Sequence, residues 1–235
     1  MDLRAVKTAS RADLTACAVA AARNGQLLLS DAKTLDGSGS RARAYSLAVL
    51  AVEESGKAAA LTALTGLPSE MRTHATAGRL LQWHQLKQVG GLLIAAVTFE
   101  APGVAAKLAA MPAAQVTRII RSVGVSADEA DRLRRRGLYV DMGRSGRIRE
   151  PSEITKAEVT SQLVRAGQAT GSAGMLLDPQ VQARIARPPA EAIGLCEALV
   201  SELTLAGHAR TPEAAADVML GAVRKFQTTM AIKDA

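Results

Sequence analysis

Between Arg41 and Leu64 the chain carries apolar residues on every side of a helical wheel. Leu47, Ala51, Ala58 and Leu61 form one stripe, Val49 and Val52 a second, and Leu50 and Leu64 a third. A helix that is apolar all round is stable only when other protein surrounds it. This segment therefore demands a bundle with a helix at its centre. A first neighbour is legible just upstream. Ser10-Arg-Ala-Asp13 is a capping-box start with Asp in place of Glu, and it opens a helix to about Leu35, stopped by Asp36-Gly-Ser-Gly-Ser40. The short Gly/Ser connection makes the two helices antiparallel. The upstream helix has a seam of Leu14, Cys17, Ala21, Asn24, Leu28, Asp31 and Leu35, in steps of three and four, which Asn24 and Asp31 interrupt with polar groups.

Further helices are predicted downstream. A long one begins near Ala75 and ends at Phe99, before Pro102, and shorter ones follow at about 104–110, 112–123 and 126–136, the last capped by Ser126. The pattern then breaks. Gly137-Leu-Tyr-Val-Asp141, Gly143-Arg-Ser-Gly146 and the run to Pro151 read as a small hairpin or ordered loop. Thr155-Lys-Ala-Glu158 is a second capping box, opening a helix to about Leu177. The Pro- and Arg-rich stretch 178–189 reads as a linker, followed by helices at about 190–206 and 212–231. The fold class is all-α: an antiparallel helical bundle with a small hairpin near 137–151 and C-terminal helices. The expected division is one helical domain over 1–180, with a C-terminal helical hairpin, 188–235, packed on it.

Composition supports that class. Of 235 residues 48% are hydrophobic, mostly Ala, Leu and Val, with only two Phe, two Tyr and one Trp. Ala and Leu favour helices, and the shortage of aromatic residues argues against an extensive sheet. Cys17 and Cys196 lie far apart in apolar, helical contexts and read as buried small hydrophobes. The first ten residues do not read as a secretory signal, and the longest apolar run, about 90–99, is too short for a bilayer. The expectation is a cytoplasmic protein without a membrane contact. Net charge is +7, largely from arginines clustered at Arg41/Arg43, Arg118/Arg121 and Arg132/Arg134/Arg135/Arg136. Guanidinium forks suit phosphate, so RNA or a nucleotide is a partner class, beside the plainer reading of a solvated basic surface.

Chemistry concentrates in two places. Glu53, Glu54 and Lys57 interrupt the all-apolar helix, and burying a carboxylate costs several kcal/mol unless it is paired. On the wheel Glu54 aligns with Leu47, Ala51, Ala58 and Leu61 and is expected in the core, with Asn24 and Asp31 as hydrogen-bonding neighbours. Glu53 is expected at an edge, where an ordinary i,i+4 pair with Lys57 would suffice. Farther along, His84 and Lys87 share a face, and Arg79 precedes His84 by five residues. An imidazole among cations is a candidate acid or base near neutral pH, although a lone His is more often a partly buried residue satisfied by a carbonyl. Glu-x-x-His pairs, which a di-metal helical site needs, do not occur, and no metal or cofactor is expected.

Four blocks together resemble the AbiV abortive-infection family: Asn24-x-x-Leu27-Leu28-x-x-Asp31-Ala32; Ala44-x-x-Leu47 through Glu53-Glu54-x-Gly56-Lys57; His84-x-x-Lys87; and Arg136-Gly-Leu-Tyr139-Val140-Asp141 with Pro151-Ser-Glu-Ile-Thr155. The resemblance covers about residues 14–165. It implies a HEPN-like antiparallel bundle, homodimeric, in phage defence through RNA or translation. It also implies a site lined by Glu53, Glu54, Lys57, His84 and Lys87, with Asn24, Asp31, Tyr139 and Asp141 from the accompanying blocks. Arg79-x₄-His84 fits the spacing of metal-independent HEPN ribonucleases. Two other classes stay open: a non-catalytic interaction protein that meets a phage or host protein, and an enzyme that takes a nucleotide or other small anion.

Overall fold

The computed structural model describes residues 3–73, 81, 112, 114–115, 118, 129–130, 132–135, 137–138, 141–142, 148–149, 154–187, 190–205, 217–218, 220–222, 224–225 and 228. Six helices carry the described architecture: α1 (Leu3–Thr8), α2 (Arg11–Gly37), α3 (Arg41–Gly66), α4 (Lys156–Gly174), α5 (Pro179–Ala186) and α6 (Ala190–Leu205). The expected hairpin is present as β1 (Asp141–Met142) against β2 (Ile148–Arg149), antiparallel, with Asp141 opposite Arg149 and Met142 opposite Ile148. The long helix expected at 75–99 lies outside the described residues except for Leu81, which is helical and buried.

α3 is the centre. From Ala58 to Leu67 every residue is buried, as a helix apolar on all sides requires. α2 runs back along it, and the reversal needs only Ser38 to Ser40, where Gly39 takes φ of +83°, a conformation that other residues enter at a cost. Both capping boxes form: Ser10 with Asp13 starts α2, and Thr155 with Glu158 starts α4. α2, α3 and α4 meet through small side chains, with Ala32, Ala48, Ala51, Ala166 and Ala169 in one cluster beside Leu29 and Val52. Small residues at a crossing let helix axes come close. α2 and α3 come close at Gly25, where a Cβ would stand 3.1 Å from Ser55 Oγ and 3.2 Å from the Ala51 carbonyl.

The buried face of α2 is turned from the expected seam by about one residue. Leu14, Ala18, Ala21, Ala22, Gly25, Leu29 and Ala32 are buried, while Cys17, Asn24 and Asp31 are exposed. Alanines on several sides of α2 let more than one stripe satisfy the three-four rule, and the Gly25 contact selects among them. The stretch read as a linker is also helical. Asp178 Oδ1 accepts from the Gln180 N–H at 2.7 Å, Pro179 takes the first helical position, and Ile185 is buried, so α5 has a start and an anchor. At the other end Arg72, buried, donates Nε and Nη2 to the Leu67 carbonyl at 3.0 and 2.9 Å. Its Nη1 donates to the Ala9 carbonyl at 2.9 Å, which ties the segment after α1 to the end of α3. α6 packs against α3, and Glu202 on α6 pairs with Lys225 at 2.6 Å.

Candidate functional site

Two adjacent carboxylates on α3 face different surroundings. Glu53 is 6% exposed, and its Oε1 lies 4.0 Å from Arg134 Nε. Glu54 is half-buried and accepts from Lys57 Nζ at 3.3 Å on both oxygens. The side chains of Glu54 and Lys57 keep 22% and 30% of their surface open. This reverses the expected order, which put Glu54 inside and Glu53 at an edge. The reason is an element whose position the wheel of α3 alone does not contain. Helical residues between 129 and 138 lie along Ala42, Ser46, Val49 and Glu53, a stripe in steps of four, three and four.

Three contacts fix that element. Ser46 Oγ donates to the Arg134 carbonyl at 3.2 Å as well as to the Ala42 carbonyl at 3.0 Å. Ala130 and Leu133 pack with Tyr45, Val49, Ile154 and Val159. Gly137 lies so close to α3 that a Cβ there would be 2.5 Å from Ser46 Oγ and 2.6 Å from the Ala42 carbonyl. The pairing of Glu53 with Arg134 therefore joins the Glu-Glu-x-Gly-Lys block to the Arg-Gly-Leu-Tyr block, about which sequence spacing says nothing. Ser46 is a functional candidate that sequence reasoning missed, while Arg134 was legible only as one of a basic cluster and Gly137 only as part of a family block. A signal was present: Ala130, Leu133 and Gly137 recur at three and four, the buried stripe of an amphipathic helix with Arg134 on its border.

Charge surrounds the same end of α3. Burial pushes the Tyr45 phenol up to about 12, against the pull of Arg165 and with help from Glu129 and Glu158. Glu129 holds Arg132, whose Nε donates to it at 2.8 Å, and this bond raises the guanidinium further above its ordinary value. Arg41, Arg43, Arg135 and Lys156 are exposed. Cys17 is exposed rather than buried, whereas burial raises the Cys196 thiol to about 12.

The remaining expected site residues fall as follows. Asn24 and Asp31 are exposed on α2; Gly25, between them in sequence, is the residue that meets α3. Asp141 is described as backbone, in β1. Arg79, His84, Lys87 and Tyr139 lie outside the described residues. Among the described residues no three of His, Cys, Asp and Glu are grouped to hold a metal ion, and no helix is long and apolar enough to cross a membrane.

No curated protein and no solved structure matches the chain significantly. The family model described as AbiV, of the HEPN type, matches residues 13–170, the span from the first turn of α2 to the last turns of α4, and includes the contacts of α3 with the segment 129–138. The chain belongs to the AbiV family of HEPN-like abortive-infection proteins.

Proposed function

We propose that this protein acts in phage defence on RNA, as a metal-independent endoribonuclease. The observation that carries the reading is the Glu54–Lys57 pair, half-open on α3, beside an arginine-rich segment that Glu53 holds from within. A lysine kept near a carboxylate and partly open to solvent is a ready phosphate contact, and the arginines add charge for a polyanion. In this reading the 2′-hydroxyl of RNA attacks its own phosphodiester. His84 takes the hydroxyl proton and later returns one to the departing 5′-oxygen, leaving a 2′,3′-cyclic phosphate and a 5′-hydroxyl. Arg79 or Lys87 offsets the charge of the phosphorane, and Glu54 orients Lys57.

The test is incubation of the purified protein with total RNA and with tRNA, without and with a chelator. Cleavage that survives the chelator is expected. His84→Ala should lower the rate by about 10²–10⁴ while leaving RNA affinity nearly unchanged. Lys87→Ala should instead weaken binding more than chemistry. Growth arrest by wild type with no cleavage of any RNA would replace this reading with that of a protein that arrests growth by binding a phage or host protein.

A further inference from the structure

Folding alone does not account for three cations at one end of the bundle. Arg41 and Arg43 lie in the first turn of α3 and Lys156 in the first turn of α4, where positive charge opposes the helix dipole and costs stability. All three are exposed, and among the described residues none has a carboxylate partner. α3 also lacks the cap that α2 and α4 have. Ser40 makes no side-chain cap bond, no acid stands in the first turn, and the Ala42 and Arg43 N–H groups meet no acceptor among the described residues. The two helix starts are neighbours, since Ile154 and Val159 pack with Ala44 and Tyr45. Gly137, against the Ala42 carbonyl, brings the segment that carries Arg132 and Arg135 to the same end. A buried polar group faces it. Tyr45 is 4% exposed, and among the described residues nothing hydrogen-bonds its hydroxyl. The charges around that hydroxyl are Arg165, Arg132, Glu129 and Glu158. Both acids are engaged: Glu129 holds Arg132, and Glu158 accepts from the Thr155 N–H and hydroxyl, each at 2.7 Å. A donor without an acceptor, an uncapped helix start and cations held against a dipole are what a phosphate would complete.

We propose that this end of the bundle docks the stem of a folded RNA, which it contacts through the phosphates. The proposal rests on the RNA reading above and narrows it to RNA that carries a double-helical stem. Single strands are held largely by bases stacked on aromatic side chains. Among the described residues the one aromatic side chain is Tyr45, and it is buried, so this surface offers bases no platform and reads a backbone. Duplex RNA is recognised that way, through its phosphates and its shape. Arginine forks and free N–H groups at a helix start are both phosphate contacts. Lys57 lies about 21 Å along α3 from Arg43 at the helical rise. An RNA that reaches both must extend that far, with its stem on the cations at the start of α3 and α4 and a strand leaving it toward the Glu54–Lys57 pair.

Fluorescence anisotropy of the full chain tests it, with a labelled RNA hairpin of about 16 base pairs beside an unstructured single strand of equal nucleotide count. At equal salt the hairpin should bind about tenfold or more tighter than the single strand. The triple variant Arg41→Glu, Arg43→Glu, Lys156→Glu should weaken hairpin binding about a hundredfold and flatten the slope of log affinity against log salt by about three. Each of its changes replaces a cation that the dipole disfavours with an acid that it favours, so the variant should melt no lower than wild type. Tyr45→Phe should lower hairpin affinity about tenfold. A single strand bound as tightly as the hairpin overturns the stem and leaves the RNA reading standing. Wild-type hairpin affinity in the triple variant or in Tyr45→Phe overturns the surface. A triple variant that loses affinity and also melts lower shows cations that serve the fold, and overturns it as well. A wild type that binds neither RNA removes the RNA reading itself, and this proposal with it.

Discussion

Glu53 and Glu54 differ by one position and by their whole environment. Glu53 points at Arg134 from inside the bundle, so Glu53→Ala leaves a guanidinium that keeps only a fifth of its surface open without that carboxylate. The cost should be about 3 kcal/mol. Glu54→Ala removes a half-open pair and should cost under about 1 kcal/mol. Urea denaturation of the two variants checks the order, and equal midpoints would reject it. Activity should rank the opposite way among variants that remain folded, since Glu54 is the one open to a ligand. Sequence made the peculiarity of these two residues legible, because charge inside an all-apolar helix is conspicuous. Which of them was inside depended on a segment some eighty residues away, and no helical wheel holds that. Tyr45 gives a pH test. Its phenol titrates near 12 in the folded chain and near 10 unfolded, so its contribution is complete below about pH 10 and is lost as pH rises through 12. Wild type should therefore lose about 2 kcal/mol relative to Tyr45→Phe over that interval, read from denaturation at each pH.

At the scale of elements, the helices whose ends carry side-chain signals were readable to within a few residues. Ser10, Asp13, Thr155 and Glu158 form the capping boxes that their order in sequence announces. The face of α2 was not readable, because alanine satisfies several stripes at once and a single glycine contact decides. α5 was hidden by its composition: Pro179 and the arginines suggest a linker until Ile185 is seen to be buried. The arginine-rich segment bears the strongest test of packing. Gly137→Ala places a methyl group where Ser46 Oγ and a backbone carbonyl already stand, and should destabilise by about 1–3 kcal/mol. Ser46→Ala in the same chain relieves only part of this, since the Ala42 carbonyl remains. A Gly137→Ala protein as stable as wild type in a thermal melt would mean that the segment does not lie against α3 in solution.

For the whole molecule, the family match stops at residue 170 while the packing does not. α6 lies against α3, so the C-terminal helices help cover the central helix. A chain ending at Arg187 should melt lower than the full protein or be recovered insoluble. An equal melting temperature would show that these helices add nothing to the core. The pair formed by Glu53 and Arg134 has one more consequence, and it concerns time. At about 5–20 residues per second, the roughly 80 residues between them take about 4–16 seconds to synthesise. α2, α3 and the Arg72 clamp contain everything needed to close on one another before Arg134 leaves the ribosome. During that interval the nascent hairpin carries an acidic, half-apolar flank with no cover, exposed to whatever chaperone or nascent neighbour reaches it first.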